Sequence, residues 1–146
     1  MLKELTVFLV SALPIAELRG GLPLGLYYGF SPLKSFLLGL FGNLIIILPL
    51  LLFWDLIINF LEKFKFFQKI FNWLFRRTLK KRNLIDKYGP LGLMIFAAIP
   101  LPYTGAYSAT LLAHLLGLEI KKSLIFISLG VLIAGLIVLL ISGIIF

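Results

Sequence analysis

Apolar residues run through this chain in long blocks, and the places where they stop predict its elements. Leu5 to Leu13 is apolar and ends at Pro14; PIAELRGGLPLGLYYG follows over residues 14–29, with Glu17 and Arg19 among glycines and prolines, and an apolar piece runs from Leu22 to Phe30. At about 1.5 Å per residue, each piece reaches roughly half way across a hydrocarbon core of about 30 Å. Two arrangements fit: one broken helix that crosses, or a re-entrant hairpin whose half-helices meet at mid-membrane. Leu33 to Trp54 is almost entirely apolar and predicts a spanning helix, kinked at Pro49 and leaving the membrane at Trp54-Asp55. Gly39, Gly42 and Asn43 form a small or polar strip along it, suited to close helix packing, with Asn43 placed to hydrogen-bond the interrupted segment.

Phe60 to Arg82 changes character. Phe60, Phe64, Phe67, Phe71, Leu74, Phe75 and Thr78 recur every three or four positions while lysines and arginines fill most of the rest, the pattern of an amphipathic helix in the headgroup plane. A second hydrophobic half then opens at Tyr88-Gly89-Pro90. Leu91 to Ile99 ends at PLPYTG, residues 100–105; Ala106 to Leu116 follows, then Gly117-Leu118-Glu119, Lys121-Lys122 and an uncharged run from Ser123 to Phe146 long enough to span.

The two halves match in order and type. Pro14 corresponds to Pro100 at an offset of 86, and Gly29, Lys34, Ser35 and Gly42 correspond to Gly117, Lys122, Ser123 and Gly130 at an offset of 88. Charge discriminates between the two arrangements. From Glu62 to Lys87 there are nine basic residues against two acids, most of the net +8, so the positive-inside rule places this linker in the cytoplasm. If each broken segment spans, Lys121-Lys122 fall on the opposite face; if each is a re-entrant hairpin, they join the linker's side. The hairpin reading agrees with the rule. Each half then has one hairpin and one full span, so the halves have opposite orientation and both termini lie outside the cytoplasm, an inverted repeat of the kind many secondary transporters use.

Composition narrows the function. With 61% hydrophobic residues and a mean hydropathy of +1.10, the 146 residues predict one integral membrane domain, with half-repeats 1–59 and 88–146 around the basic linker 60–87. The positive charge is topological in its placement and argues for membrane lipids as partners, with no nucleic acid; its sharper use is headgroup contact through Arg76, Arg77, Lys80, Lys81 and Arg82. The chain has no Cys, one His and six scattered acids, so no metal, cofactor or disulfide is expected, and no nucleophile–base set marks an enzyme.

The interruptions carry the chemistry. Unpaired backbone in hydrocarbon costs several kcal/mol per group, so breaks at Pro14, Gly20, Gly21, Pro23 and Gly25, and at Pro100, Pro102 and Gly105, imply a protein-lined or watered cavity. Glu17 and Arg19 lie within the first. A charge at the bilayer centre costs at least about 2.5–3.5 kcal/mol, so the pair is expected to bind a proton, an ion or substrate rather than only to neutralise itself. On a regular helix two residues apart they diverge, whereas turn backbone lets them pair with each other or across to the other half. Tyr103, Thr104, Tyr107 and Ser108 offer hydroxyls from that half, Asn43 a third polar group, and the half-helix N-termini following Pro14 and Pro102 exposed N–H donors to the same cavity. His114 reads as packed or interfacial, with a proton relay as the alternative, and Tyr27 and Tyr28 as interface aromatics.

The run Glu17-Leu18-Arg19-Gly20-Gly21-Leu22-Pro23-Leu24-Gly25 together with Pro100-Leu101-Pro102-Tyr103-Thr104-Gly105-Ala106 resembles the small multidrug export proteins, a family of prokaryotic membrane proteins, over essentially the whole chain. Members usually show Pro-x-Pro-Gly-Thr-Gly, from which Tyr103 departs. The family is in turn distantly similar to the DedA or VTT membrane proteins, thought to have paired re-entrant hairpins and to include lipid translocases. The resemblance implies paired hairpins and a multi-pass protein of the prokaryotic cell membrane, without identifying a cargo. The resulting expectation is an all-α polytopic membrane protein, an inverted repeat of re-entrant hairpin plus transmembrane helix with an amphipathic linker helix. Its function is proton- or ion-coupled movement of small or amphipathic compounds through a cavity between the hairpins. DedA-like translocation of an anionic lipid carrier and a non-transporting structural module are the alternatives. So small a chain is expected to need a homo-oligomer to enclose a path.

Overall fold

The computed structural model describes residues 1–14, 16–80, 82–99 and 105–145, with the side chains of these except 71, 74, 78, 84, 144 and 145. The described residues form helices and connecting turns, with no strand among them. The helices are α1 (Leu2–Ala12), α2 (Glu17–Tyr27), α3 (Pro32–Leu44), α4 (Ile47–Leu61), α5 (Lys65–Leu79), α6 (Arg82–Tyr88), α7 (Pro90–Ala98), α8 (Ala106–Leu115) and α9 (Ile120–Ile145). Among the described residues two stretches are long and apolar enough to cross a membrane: Pro32–Leu61, with a mean hydropathy of 2.6, and Ile120–Gly143, with 3.1.

The first of these starts as the sequence dictates, with Pro32 in the first turn and the Ser31 hydroxyl accepting from the Lys34 N–H at 3.2 Å. Its interruption lies upstream of Pro49. A proline has no N–H to donate and its ring crowds the carbonyl four residues earlier, so the helix gives way at Ile45-Ile46 and restarts as α4. The helix also runs past the expected exit at Trp54 to Leu61. Trp54 is no interface aromatic here: it is buried, and its Nε1–H donates to Thr110 Oγ1 of α8 at 3.0 Å.

The first break differs from the expected one too. α1 ends at Ala12 and α2 begins at Glu17, so Gly20, Gly21, Pro23 and Gly25, expected to interrupt the chain, all lie inside α2. Their smallness serves packing. A methyl on Gly21 would overlap Ser11 Oγ, and one on Gly25 would stand 2.6 Å from Ser35 Oγ, so glycine at these positions lets α2 lie close against α1 and α3. Gly39 and Gly42 of α3 do the same, under Leu18 and against the Phe8 carbonyl.

α1 and α2 fold back on each other. The Lys3 ammonium stands 5.6 Å from the Tyr28 ring centre, and Lys34 Nζ donates to Glu4 Oε1 at 2.8 Å, so the start of α1, the end of α2 and the start of α3 share one end of the molecule. The Lys34 hydrogen bond, with the Met1 ammonium beside it, holds the Glu4 carboxyl down to about 2. α7 packs on α9 as α1 packs on α3, whereas α8 lies more against α4 than against α9. The contacts recur at the offsets already seen in the sequence. Gly42 meets the Phe8 carbonyl and Ser11 Cβ, and Gly130 meets the Met94 carbonyl and Ala97 Cβ. α2 ends with Phe30 N–H bonded to the Gly25 carbonyl and Gly29 N–H to that of Leu26; after α8, Leu118 bonds Ala113 and Gly117 bonds His114 in the same way. Gly29 and Gly117 have φ of +85° and +68°, the left-handed cap that closes a helix in this motif. The end of α8 lies elsewhere from the end of α2, however. His114 Nε2 is 2.9 Å from Asp55 Oδ1 near the far end of α4, 21 residues or about 30 Å along the rod from Lys34.

The basic segment is shorter and split. Instead of one helix over 60–82, Phe60 and Leu61 finish α4, α5 occupies Lys65–Leu79 and α6 starts at Arg82. α6 packs on α7 and buries Ile85 in the main core, while Phe66, Ile70 and Trp73 of α5 stay exposed. Arg76, Arg77, Lys80 and Arg82 are exposed as well, with the Arg77 guanidinium 5.1 Å from the Trp73 ring centre; Lys81 is outside the described residues.

Candidate functional site

Helix ends leave N–H and C=O groups without partners in the helix, and an apolar environment offers no water to take them. α1 ends at Ala12 and α2 begins at Glu17; α7 ends at Ala98 and α8 begins at Ala106. These ends meet, and each break supplies what the other lacks. The Glu17 carboxylate accepts from the first N–H groups of α8: Ala106 N–H to Oε2 at 3.4 Å and Tyr107 N–H to Oε1 at 3.3 Å. In the other direction the Tyr107 hydroxyl donates to the Ala12 carbonyl at the end of α1, at 2.6 Å.

Glu17 is 2% exposed and has φ +49°, a left-handed conformation that residues with a side chain rarely adopt. That departure from helical geometry resolves the spacing problem. Arg19 Nη2 donates to Glu17 Oε2 at 3.3 Å, a pairing two regular helical positions would not allow. Gly105 has φ +112° and faces the carboxylate so closely that a methyl would overlap Glu17 Oε2, so this position requires glycine both for its backbone and for the space. The carboxylate thus sits among two backbone donors at a helix N-terminus and a guanidinium, each favourable to negative charge.

A cavity of about 10 Å³ lies beside it, about the volume that one water needs. Asn43 lines this cavity with Glu17, Arg19 and Ala134. Asn43 was expected to hydrogen-bond the break, yet its Oδ1 has no hydrogen-bond partner although the residue is 97% buried, its relative exposure being 3%.

The structure therefore brings together Glu17, Arg19, Asn43, Gly105 and Tyr107 among the residues expected from sequence. Pro14 lies between α1 and α2, and Ser108 is buried on α8. Pro100, Pro102, Tyr103 and Thr104 are outside the described residues. His114 pairs with Asp55 away from the cavity, and Tyr27 is exposed. The Ala106 and Tyr107 N–H groups are donors of the half-helix N-terminus expected after Pro102 to serve the same cavity, and Glu17 is the group they hold. Sequence reasoning missed the Ala12 carbonyl and the Trp54–Thr110 bond.

Among the described residues all secondary structure is helical, two segments are long and apolar enough to cross a bilayer, and a charged residue is sealed between helix ends; in so apolar a chain these are the marks of a membrane protein. The chain belongs to the Putative small multi-drug export protein family, whose model matches residues 17–137. That is an export family and not an enzyme class. Comparison with curated proteins and with solved structures returned no match.

Proposed function

We propose that this protein is a transporter whose path runs through the junction of α1–α2 with α7–α8, with Glu17 as its proton- or ion-binding group and export of small or amphipathic compounds as its activity. The observation that carries the reading is the Glu17 carboxylate holding the N-terminus of α8. A charge withdrawn from water and spent on joining two halves is costly as mere scaffolding, whereas protonation or ion binding there changes the contact between the halves directly.

Several features support a finer topology. α1 and α2 are 11 residues each, about 16 Å, and turn back beside Asn43, 11 residues into a 30-residue apolar rod. The turn then lies near the middle of a core of about 30 Å, as in a re-entrant hairpin. α2 ends near Lys34 and α8 near Asp55, at opposite ends of that rod, as expected of hairpins entering from opposite faces. The recurring contacts at offsets of 86 and 88 fit the same inverted repeat of half-repeats 1–59 and 88–146. In this reading α5 lies in the cytoplasmic headgroup plane of a prokaryotic cell membrane, with its exposed Phe66, Ile70 and Trp73 towards lipid and Arg76, Arg77, Lys80, Lys81 and Arg82 against anionic headgroups.

The test is flux of amphipathic dyes, one cationic and one anionic, in proteoliposomes under an imposed proton gradient. Gradient-driven flux in the wild type is expected to fall by at least about tenfold in Glu17→Gln, which keeps size and removes the titrating group. Equal flux in the variant would remove Glu17 from the mechanism, and absence of flux together with tolerance of substitution at Glu17 and Arg19 would make the chain a structural module.

A further inference from the structure

The groups around the Glu17 carboxylate constitute an oxyanion site in their own right. The Ala106 and Tyr107 N–H groups at the start of α8 and the Arg19 guanidinium are all donors, and all three converge on two carboxylate oxygens. An independent observation indicates that the site is built for more than Glu17. Asn43, 97% buried, lines the same cavity with an amide oxygen that bonds nothing. A buried amide carries both an acceptor and donors, and turning it over presents its NH₂ to an anion instead.

From this we propose that Glu17 is an internal stand-in for the acid group of the cargo, and that the carboxylate, phosphate or sulfonate of an amphipathic anion takes its place against α8, Arg19 and Asn43 when Glu17 is protonated and withdraws. The inference rests on the transporter reading and gives that site a substrate class. Three features make the carboxylate displaceable. Its hydrogen bonds are long, at 3.3–3.4 Å. Its backbone is held at φ +49°, a strained conformation that opening of the contact would relax. The cavity holds only about one water, so an oxyanion enters by replacing the carboxylate rather than by joining it. Occupancy by Glu17 and by the cargo is then mutually exclusive, and a proton on Glu17 and an anion on α8 favour each other. Among the described residues the charged or titratable groups facing Glu17 are Arg19 on its own helix and Tyr107 on α8; α3 offers Asn43, while α7 and α9 present apolar groups such as Ala97 and Ala134.

Propanesulfonate, whose charge does not change with pH, is the probe for the purified protein in neutral detergent, with binding read by calorimetry. Affinity is expected to rise by about tenfold in Glu17→Gln, where the competing charge is gone. In the wild type it is expected to rise from alkaline to mildly acid pH, in Glu17→Gln to be flat, and in Arg19→Gln to be lost. A lipid arm uses nanodiscs of neutral lipid with and without phosphatidic acid, read as thermal stabilisation that Arg19→Gln abolishes; stabilisation there with no propanesulfonate binding assigns the site to a lipid acid group, and the reverse assigns it to a free anion. Binding that is independent of pH and of Arg19 in both arms overturns the proposal, as does Glu17→Gln binding no tighter than wild type. If Glu17→Gln does not fold, the wild-type pH series decides alone. Dye flux that depends on Glu17 without anion binding would leave the transporter reading standing and remove this one.

Discussion

The two interruptions of the chain occupy corresponding positions and solve the same problem with opposite chemistry. At an offset of 88, Glu17 corresponds to Gly105, the one the first residue of α2 and the other the cap just before α8, and each has positive φ, +49° and +112°. These two residues also touch, the glycine leaving the space that the carboxylate fills. Glycine adopts such a backbone at no steric cost; glutamate does not. What the difference teaches is that the first break accepts strain at Glu17 in order to place a charge, whereas Gly105 takes its backbone without strain and leads into the N–H donors of α8. The same asymmetry continues down the helices. Ser11 packs on Gly21 in the first pair, where the corresponding residues of the second are Ala97 and Ala109, both buried. The hydroxyl and the missing methyl compensate each other in volume.

The largest effect is expected from Gly105→Ala. With φ +112° and ψ −166°, position 105 lies in a region open essentially to glycine alone, and the new methyl overlaps Glu17 Oε2. The combined cost is about 3 kcal/mol or more, and thermal melting in detergent should show a large loss of stability together with loss of flux. A well-folded, active Gly105→Ala protein would mean that the glycine does not frame the carboxylate.

The helix packing gives a sharper comparison. Gly21→Ala drives a methyl into Ser11 Oγ and is expected to destabilise by about 1–3 kcal/mol, as overpacking does. Adding Ser11→Ala copies the Ala97–Ala109 pair and should recover more than half of that loss, although Ser11→Ala alone removes the hydroxyl's 2.8 Å bond to the Val7 carbonyl. Melting of the two singles and the double forms a cycle; strictly additive effects would show that the two pairs are not equivalent.

Much of this scaffold was legible in the sequence because it is written in period and punctuation. The ends of α7 and α8, the apolar span of α9 and the correspondence of Gly42 with Gly130 follow from runs of apolar residues and the small residues between them. The errors share a cause. Gly20, Gly21, Pro23 and Gly25 are breakers by local propensity, but in α2 close contact with α1 and α3 outweighs the backbone cost, which is about 1 kcal/mol per glycine. Trp54 has the composition of an interface residue and is buried because α8 offers Thr110, a partner 56 residues away. The candidate site was half legible: the charged residues stand out against apolar sequence and Pro102 marks a helix start with N–H groups to offer, while the pairing of the Glu17 carboxylate with that start, 89 residues away, has no local signal.

The smallest effect tests the strain itself. In an ordinary helix alanine is more stable than glycine by up to about 1 kcal/mol. At position 17 the order should invert. Both Glu17→Ala and Glu17→Gly lose the carboxylate and its three hydrogen bonds, so the difference between them isolates the backbone. Left-handed geometry costs a residue with a Cβ about 1–2 kcal/mol, whereas glycine's extra freedom in the unfolded chain costs about 0.4–1 kcal/mol. The glycine variant should therefore melt above the alanine variant by the equivalent of about 0.5–1 kcal/mol. The inverted order would make the first break, once stripped of its charge, behave like the second, with glycine preferred at the corresponding position in both. If alanine is instead the more stable, position 17 is an ordinary helical residue in solution, the strain attributed to it is absent, and the carboxylate loses one of the reasons given for its release.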